Sequence, residues 1–449
     1  MKTYLNLLSN KTIKVLIQNF VAINLLFFTF FGRSYSGLTI LNFRFGEIFI
    51  GLSILLFFNL LFYINFIELK FLRIFLYFLF ISFIISALIS DSNFLNLYTY
   101  KSSSYIWTLG FLLFGIILFS NIDYDFWLIK FSPFVLIIVY FLSTVRFPKS
   151  IASFFIQFSD KFEYLKGSDL LIIFVAFILI SKRRFINKYF FLTYFLLLSS
   201  LYVPLFIFKS KGAVLPGVIF IIFELLVHRG YILANKVKFM FLILLCIPTF
   251  VIGIYTSFGS FDFQIDPLKV EKAEKPIVPS AKAGVISQDL KKLVELKNTN
   301  GIFLSIFIND GRIYSTDAMA NWRLQIWQDV VEDLYKQNGY FFGYGYKDII
   351  PAMDEVERRG TDGTNENVHN FLVNIFARGG LVQVILFIYF YLLVFKYYLR
   401  NNNSYNLIIF ILCSLGTAFF DTAMESVRFP FIFYTVIPYF LYEKKIYIE

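Results

Sequence analysis

The sequence predicts an all-α polytopic membrane protein of about twelve transmembrane helices, with one large, partly helical loop on the non-cytoplasmic side. Three observations predict it. Hydrophobic residues make up 58% of the 449 and charged residues only 16%, where a water-soluble domain carries about a quarter charged; mean hydropathy is +0.70. Apolar runs long enough to span a bilayer recur along the chain, a span needing about 20 residues at a rise of about 1.5 Å each. Lys and Arg gather in alternate connections, as membrane topology requires. The 62 Phe follow a general compositional bias and carry no functional weight.

The runs begin near Ile13, Glu47, Phe71, Tyr105, Phe126, Leu170, Tyr189, Val214 and Lys238, then near Leu381, Tyr405 and Phe429. Lys11 and Lys14 precede the first run, and no small-residue cleavage site follows it, so an uncleaved first helix is expected. Counting connections alternately, one side collects Lys2, Lys11, Lys14, Lys70, Arg73, Lys182, Arg183, Arg184, Lys188, Arg229, Lys236, Lys238, Lys396, Arg400, Lys444 and Lys445. The positive-inside rule makes that side, and both termini, cytoplasmic. The other side holds residues 32–46, 90–104, 144–169 and 256–380. Three regions result: nine helices over 1–255, the large loop over 256–380 and three helices over 381–449. The net charge of +11 sits beside apolar segments, where anionic leaflets account for it without nucleic acid. Cys246 and Cys413 lie in separate apolar runs and form neither a disulfide framework nor a metal spacing.

Within the large loop, residues 262–300 are Lys-, Pro- and Ala-containing and read as an exposed insertion. Beyond them, Ser315 or Thr316 caps a predicted helix that runs to about Gln337 and stops at Asn338-Gly339. Its Trp322, Ile326, Val330 and Leu334 recur every four residues, an apolar stripe suited to the membrane surface or the bundle mouth. A shorter amphipathic stretch, Ile151 to Leu165, suits the same role.

Four features carry potential chemistry. Lys209 and Lys211, in Phe208-Lys209-Ser210-Lys211-Gly212, place two cations in a very short outer link. Ordinary snorkelling anchors would look the same, but the pair runs against the topological bias, which an outer anion would explain. Arg323, beside Trp322 and one turn before Trp327, stands at the edge of the apolar stripe; its planar guanidinium suits a phosphate or diphosphate. His369, one of two histidines, stands at a predicted helix start with Asn370. A helix N-terminus disfavours imidazolium, which leaves a neutral ring able to accept a proton. Gly339 to Tyr346 form a Gly-rich aromatic loop around Gly343 and Gly345. That loop is not a P-loop, lacking the Lys-Ser/Thr ending, and packing by its own aromatics is its simplest account.

Taken in order, the Ser-Lys-Gly link, Asn321-Trp322-Arg323 with Trp327, Gly343-Tyr344-Gly345, His369-Asn370 and Gly379-Gly380 resemble the O-antigen ligase and polymerase family. The resemblance covers roughly residues 195 to 395. It implies a GT-C-like fold in the bacterial inner membrane with the large loop periplasmic. It also implies a metal-independent, cofactor-free, inverting glycosyltransferase. The donor it implies is a polyprenyl-diphosphate-linked glycan, and the acceptor is lipid A core for a ligase or a second lipid-linked glycan for a polymerase. Carried over, Arg323 with Lys209 and Lys211 would hold the donor diphosphate and His369 would act as general base. Lys211 departs from the Arg usual in ligases, and the 262–300 insertion is a second departure. A transporter of lipid-linked glycan is the alternative from another class; it would be expected to show internal repeats and mid-membrane ionisable groups.

Overall fold

The computed structural model describes residues 11–62, 70–120, 126–144, 147–258, 306–309, 311–354, 358, 365–402 and 404–442; the expected insertion at 262–300 lies outside them. The helices are α1 (Lys11–Ser36), α2 (Phe45–Phe62), α3 (Lys70–Ile89), α4 (Leu97–Ser102), α5 (Ser104–Phe119), α6 (Trp127–Ser143), α7 (Lys149–Phe158), α8 (Gly167–Ser181), α9 (Lys188–Lys209), α10 (Lys211–Val227), α11 (Arg229–Ala234) and α12 (Lys236–Phe258). After them come α13 (Ala318–Lys336), α14 (Phe371–Asn401), α15 (Asn406–Ala418) and α16 (Arg428–Leu441). Among the described residues, α1, α2, α3, α9, α12 and α14 are long and apolar enough to cross a membrane, while α5, α6, α10, α15 and α16 are apolar but shorter.

Two antiparallel hairpins qualify the all-α expectation. β1 (Thr39–Ile40) pairs with β2 (Phe43–Arg44) through Leu41 and Asn42, both at positive φ (50° and 69°), the backbone of a type I′ turn. β3 (Ile306–Asn309) pairs with β4 (Arg312–Ser315), with Gly311 at φ 75°. The apolar run expected from Leu381 differs more: its helix starts at Phe371 and kinks at Gly380 (φ 67°). The Gly379-Gly380 pair bends the helix without ending it, because the N–H groups it frees are taken elsewhere. Leu381 N donates to Tyr340 O (2.9 Å) and Val382 N to Phe341 O (3.2 Å).

The described residues form two compact units. The first holds the chain up to Arg73, α5 to α12, and everything from Tyr391. At its centre α8 and α16 are buried along nearly their whole length, as helices apolar on all sides must be. α8 and α10 run parallel: Gly167 and Ser210 start side by side, since a Cβ on Gly167 would lie 2.4 Å from Ser210 Cβ. At their other ends, Lys182 just past α8 binds Glu224 of α10 (2.9 Å). Both ends carry ionic contacts. At one, Arg428 binds Asp169 (2.9 Å), Arg33 approaches Glu163 (3.7 Å) and Ser168 donates to Asp421 (2.6 Å). At the other stand Lys182, His228 and Arg183, whose guanidinium lies over the Tyr439 ring at 4.6 Å. The amphipathic stretch seen from Ile151 forms α7, which buries Ala152 and Phe155 and exposes Phe154, Ile156 and Phe158.

The second unit holds Ile74–Ser103 and the described residues from 306 to Phe390. α13 is capped by Asp317, whose carboxylate accepts from Ala320 N at 2.9 Å, rather than by Ser315 or Thr316; Ser315 Oγ instead accepts from Asp317 N (3.2 Å). The hairpin is laid along α13. Gln328 Oε1 accepts from Ile313 N (2.7 Å), and Gln325 and Gln328 donate to Ile313 O (3.1 and 2.8 Å). The apolar stripe does not lie open for a membrane. Ile326, Val330 and Leu334 are wholly buried against Ile350, Met353, Val368 and Ala377, with Trp322 and Trp327 packed alongside.

Candidate functional site

The stripe on α13 positions the chemistry expected of His369. Two tryptophans bracket the segment that carries it. The Trp327 indole N–H donates to Val368 O at 2.7 Å, and the Trp322 ring meets the His369 ring edge-on at 5.0 Å. Arg323 is the next residue on α13 and is half-buried. His369 itself stands in the left-handed region, at φ 55°. A residue with a Cβ pays about 1–2 kcal/mol for that conformation, which the surrounding grip must offset. Asn370, wholly buried, then starts α14: its side-chain oxygen accepts from Val373 N (3.1 Å), the bond an N-cap makes. Thus Trp322, Trp327, Arg323, His369 and Asn370 belong to one neighbourhood of the second unit.

The segment before His369 is tied down as well. Asn365 Nδ2 lies 3.0 Å from His369 Nε2, and Asn365 Oδ1 accepts from Asn367 N (3.4 Å). Glu366 binds Lys101 of α4 at 3.0 Å and also accepts from the Tyr98 hydroxyl, whose pKa burial raises.

Gly343 and Gly345 have a structural function that the sequence left open. Both sit at φ 72°, and their loop docks on the α14 kink: Tyr344 N donates to Ala377 O (2.7 Å) and Gly345 N to Arg378 O (3.0 Å). A Cβ on Gly343 would lie 2.5 Å from Arg378 C, and one on Gly345 would lie 1.8 Å from Ser90 Oγ. Only glycine supplies both that φ and that closeness. The aromatics of the loop are partly turned inward, with Tyr346 wholly buried and Tyr344 packed on the α13 cluster; burial raises the Tyr344 pKa, with Asp333 adding to it.

Sequence reasoning missed Arg378. It is buried, donates to the carbonyls of Gly345 and Asp348, and reaches the Tyr98 hydroxyl at 3.2 Å. Its signal was present: an arginine directly before a glycine pair in an apolar run is costly unless it has partners. Arg358 was also missed. It donates to Ala352 O (2.8 Å) and binds Asp329 of α13 at 2.6 Å.

Lys209 and Lys211 belong to the first unit. Lys209 ends α9 with its ammonium over the Tyr164 ring at 5.2 Å, the packing of an anchored cation. Lys211 is the first residue of α10, and Ser210 alone links the two helices. Gly212 faces Phe420; a Cβ there would lie 2.8 Å from Phe420 Cβ.

A multi-pass helical membrane protein is therefore joined to a polar unit that holds a histidine and an arginine beside a helix N-terminus. Among known proteins, a family model described as O-antigen ligase matches residues 165–388, about half of the chain. The chain belongs to the O-antigen ligase and polymerase family. No curated protein matches it.

Proposed function

We propose that this protein transfers a glycan from a polyprenyl-diphosphate carrier to a sugar hydroxyl at the periplasmic face of the bacterial inner membrane, as an O-antigen ligase does. The observation that carries the reading is the His369 segment. An imidazole is held at a strained backbone position by two tryptophans of the helix that also bears Arg323. Strain of that kind persists where the surroundings over-determine it, and such places are commonly functional. A diphosphate is already a good leaving group. The reaction therefore needs cations on the departing charge and one base on the acceptor, and asks for no metal.

In this reading His369 takes the acceptor hydroxyl's proton as its oxygen attacks the anomeric carbon from the face opposite the diphosphate, inverting that centre. Arg323 meets two diphosphate oxygens at once. About twelve crossings, with Lys and Arg gathered in the connections read as cytoplasmic, support a periplasmic site. The acceptor is lipid A core, and deleting the gene tests this choice against the polymerase reaction. Bare cores with accumulated lipid-linked polymer are expected; cores carrying single repeats would mark a polymerase instead. The chemistry itself is tested with purified protein in vesicles given lipid-linked glycan and acceptor. A new glycosidic bond is expected, whereas movement of the lipid-linked glycan across the vesicle without bond formation would make the protein a transporter.

A further inference from the structure

The Asn365 side-chain amide lies between a partner that can only donate and one that can donate or accept. On one side the backbone N–H of Asn367 points at it (3.4 Å), and a donor must meet the oxygen. The amide nitrogen is thereby turned to His369 Nε2 at 3.0 Å, and it can only donate there. Nε2 must then be an unprotonated acceptor, so in the neutral ring the proton resides on Nδ1. Reversing the amide would set its NH2 against the Asn367 N–H and leave two donors face to face.

We infer that Asn365 is a positioning residue that fixes His369 as the Nδ1–H tautomer and keeps Nε2 as its basic atom. The hydrogen-bond partner of one imidazole nitrogen decides which nitrogen carries the proton. The role of this atom in transfer rests on the reading of His369 as the base. The Asn365 N–H occupies the position in which an acceptor hydroxyl would donate to Nε2, so the acceptor displaces it. The hydroxyl proton then moves to Nε2, the hydroxyl oxygen bonds to the anomeric carbon, and the bond to the diphosphate breaks with its electron pair leaving on the diphosphate. Imidazolium returns its proton to water, after which the amide closes again on Nε2. The rest of the segment keeps the amide in place, since Glu366 is fixed by Lys101 and Tyr98, and Val368 by Trp327.

The chain has only two histidines, which makes the test direct. Full-length protein with His228→Gln, labelled with 15N-histidine and held in lipid nanodiscs, has one imidazole. Couplings to the ring protons identify each nitrogen. The expected spectrum at a pH where the ring is neutral has a protonated Nδ1 and a bare Nε2. In Asn365→Ala the ring is expected to relax to the Nε2–H form that free imidazole prefers. In Asn365→Asp, which keeps the shape but can only accept, Nε2 is expected to carry a proton. A protonated Nε2 in the otherwise unaltered protein, or a bare Nε2 persisting in the Asp variant, would overturn the inference. Transfer is measured in parallel, and Asn365→Asp is expected to lose about 10²-fold or more, the usual share of a general base. If the proton moves to Nε2 while transfer is undiminished, the tautomer assignment stands and His369 as base falls.

Discussion

At the scale of single residues, His369 was legible because histidine is rare here and this one falls where an apolar run resumes. Its left-handed backbone was not legible, since φ is set by packing between the 365–370 segment and α13. The two facts can be separated by experiment. Asn tolerates a positive φ better than most residues, so His369→Asn should melt within a degree or two of the parent, while transfer falls by about 10²- to 10⁴-fold; parallel melting and transfer assays decide. A variant that melted normally and kept most of its activity would leave the imidazole no part in the chemistry. Arg323→Lys preserves charge but not the two-pronged donor geometry. Donor use should weaken by about tenfold or more, read as kcat/KM for lipid-linked glycan, because bonds to charged groups are worth about 1.5–3 kcal/mol. Asn365 and Arg378 were invisible for a different reason: an amide or guanidinium gains its meaning from partners far away in the chain, and no local spacing encodes them. Lys209 was recognised as a cation, but its resting place over Tyr164 depends on a residue from another segment.

At the scale of elements, α13 was readable almost to its ends because a four-residue apolar recurrence survives any context. Its cap moved from Ser315 or Thr316 to Asp317, a shift no larger than that by which helix ends fray. What the recurrence could not say was what would cover the stripe; burial by Ile350, Met353 and Val368 requires the intervening chain to fold back. The β3–β4 hairpin escaped notice although Asp310-Gly311 between Ile-rich runs is a strong hairpin signal, because it sits directly after the polar insertion. The Gly-rich loop makes the sharpest demand. Gly345→Ala adds a left-handed penalty to a clash with Ser90 and should cost about 2–4 kcal/mol. Gly230→Ala, in α11, meets nothing within 4 Å and should be neutral or gain about 0.4–1 kcal/mol. Denaturation of both in the same detergent compares them. Equal effects would show that the loop does not need its glycine.

At the scale of the whole molecule, hydropathy foresaw where the apolar helices stand, because bilayer thickness acts on the chain without regard to detail. The ionic pattern within the first unit was less legible, since Asp169, Arg428 and Asp421 come from distant segments. One of its members titrates unusually. Glu425, in the connection between α15 and α16, has both carboxylate oxygens buried. Loss of water outweighs a lowering by its own backbone and, with a smaller addition from the Asp421 charge, pushes its pKa up to about 8. The folded protein therefore holds this proton where the unfolded chain has released it. Stability from this group is fully present below the usual carboxylate range and falls as pH rises toward about 8. Glu425→Gln should flatten that fall and stabilise the protein above it. A melting series across pH checks this, and an unchanged slope in the variant would place the charged form comfortably in its site.

The bonds from α4 and the end of α3 have a practical consequence for protein engineering. Ser86 donates to Phe342 O and Arg378 O, Lys101 holds Glu366, and Tyr98 joins Arg378 to Glu366, yet Ser86, Tyr98 and Lys101 all precede the stretch, 165–388, by which the family is recognised. A chimera that exchanges only the recognised stretch with a relative would graft a histidine segment onto foreign supports. Transplants that carry residues 74–103 along with it would bring those supports too.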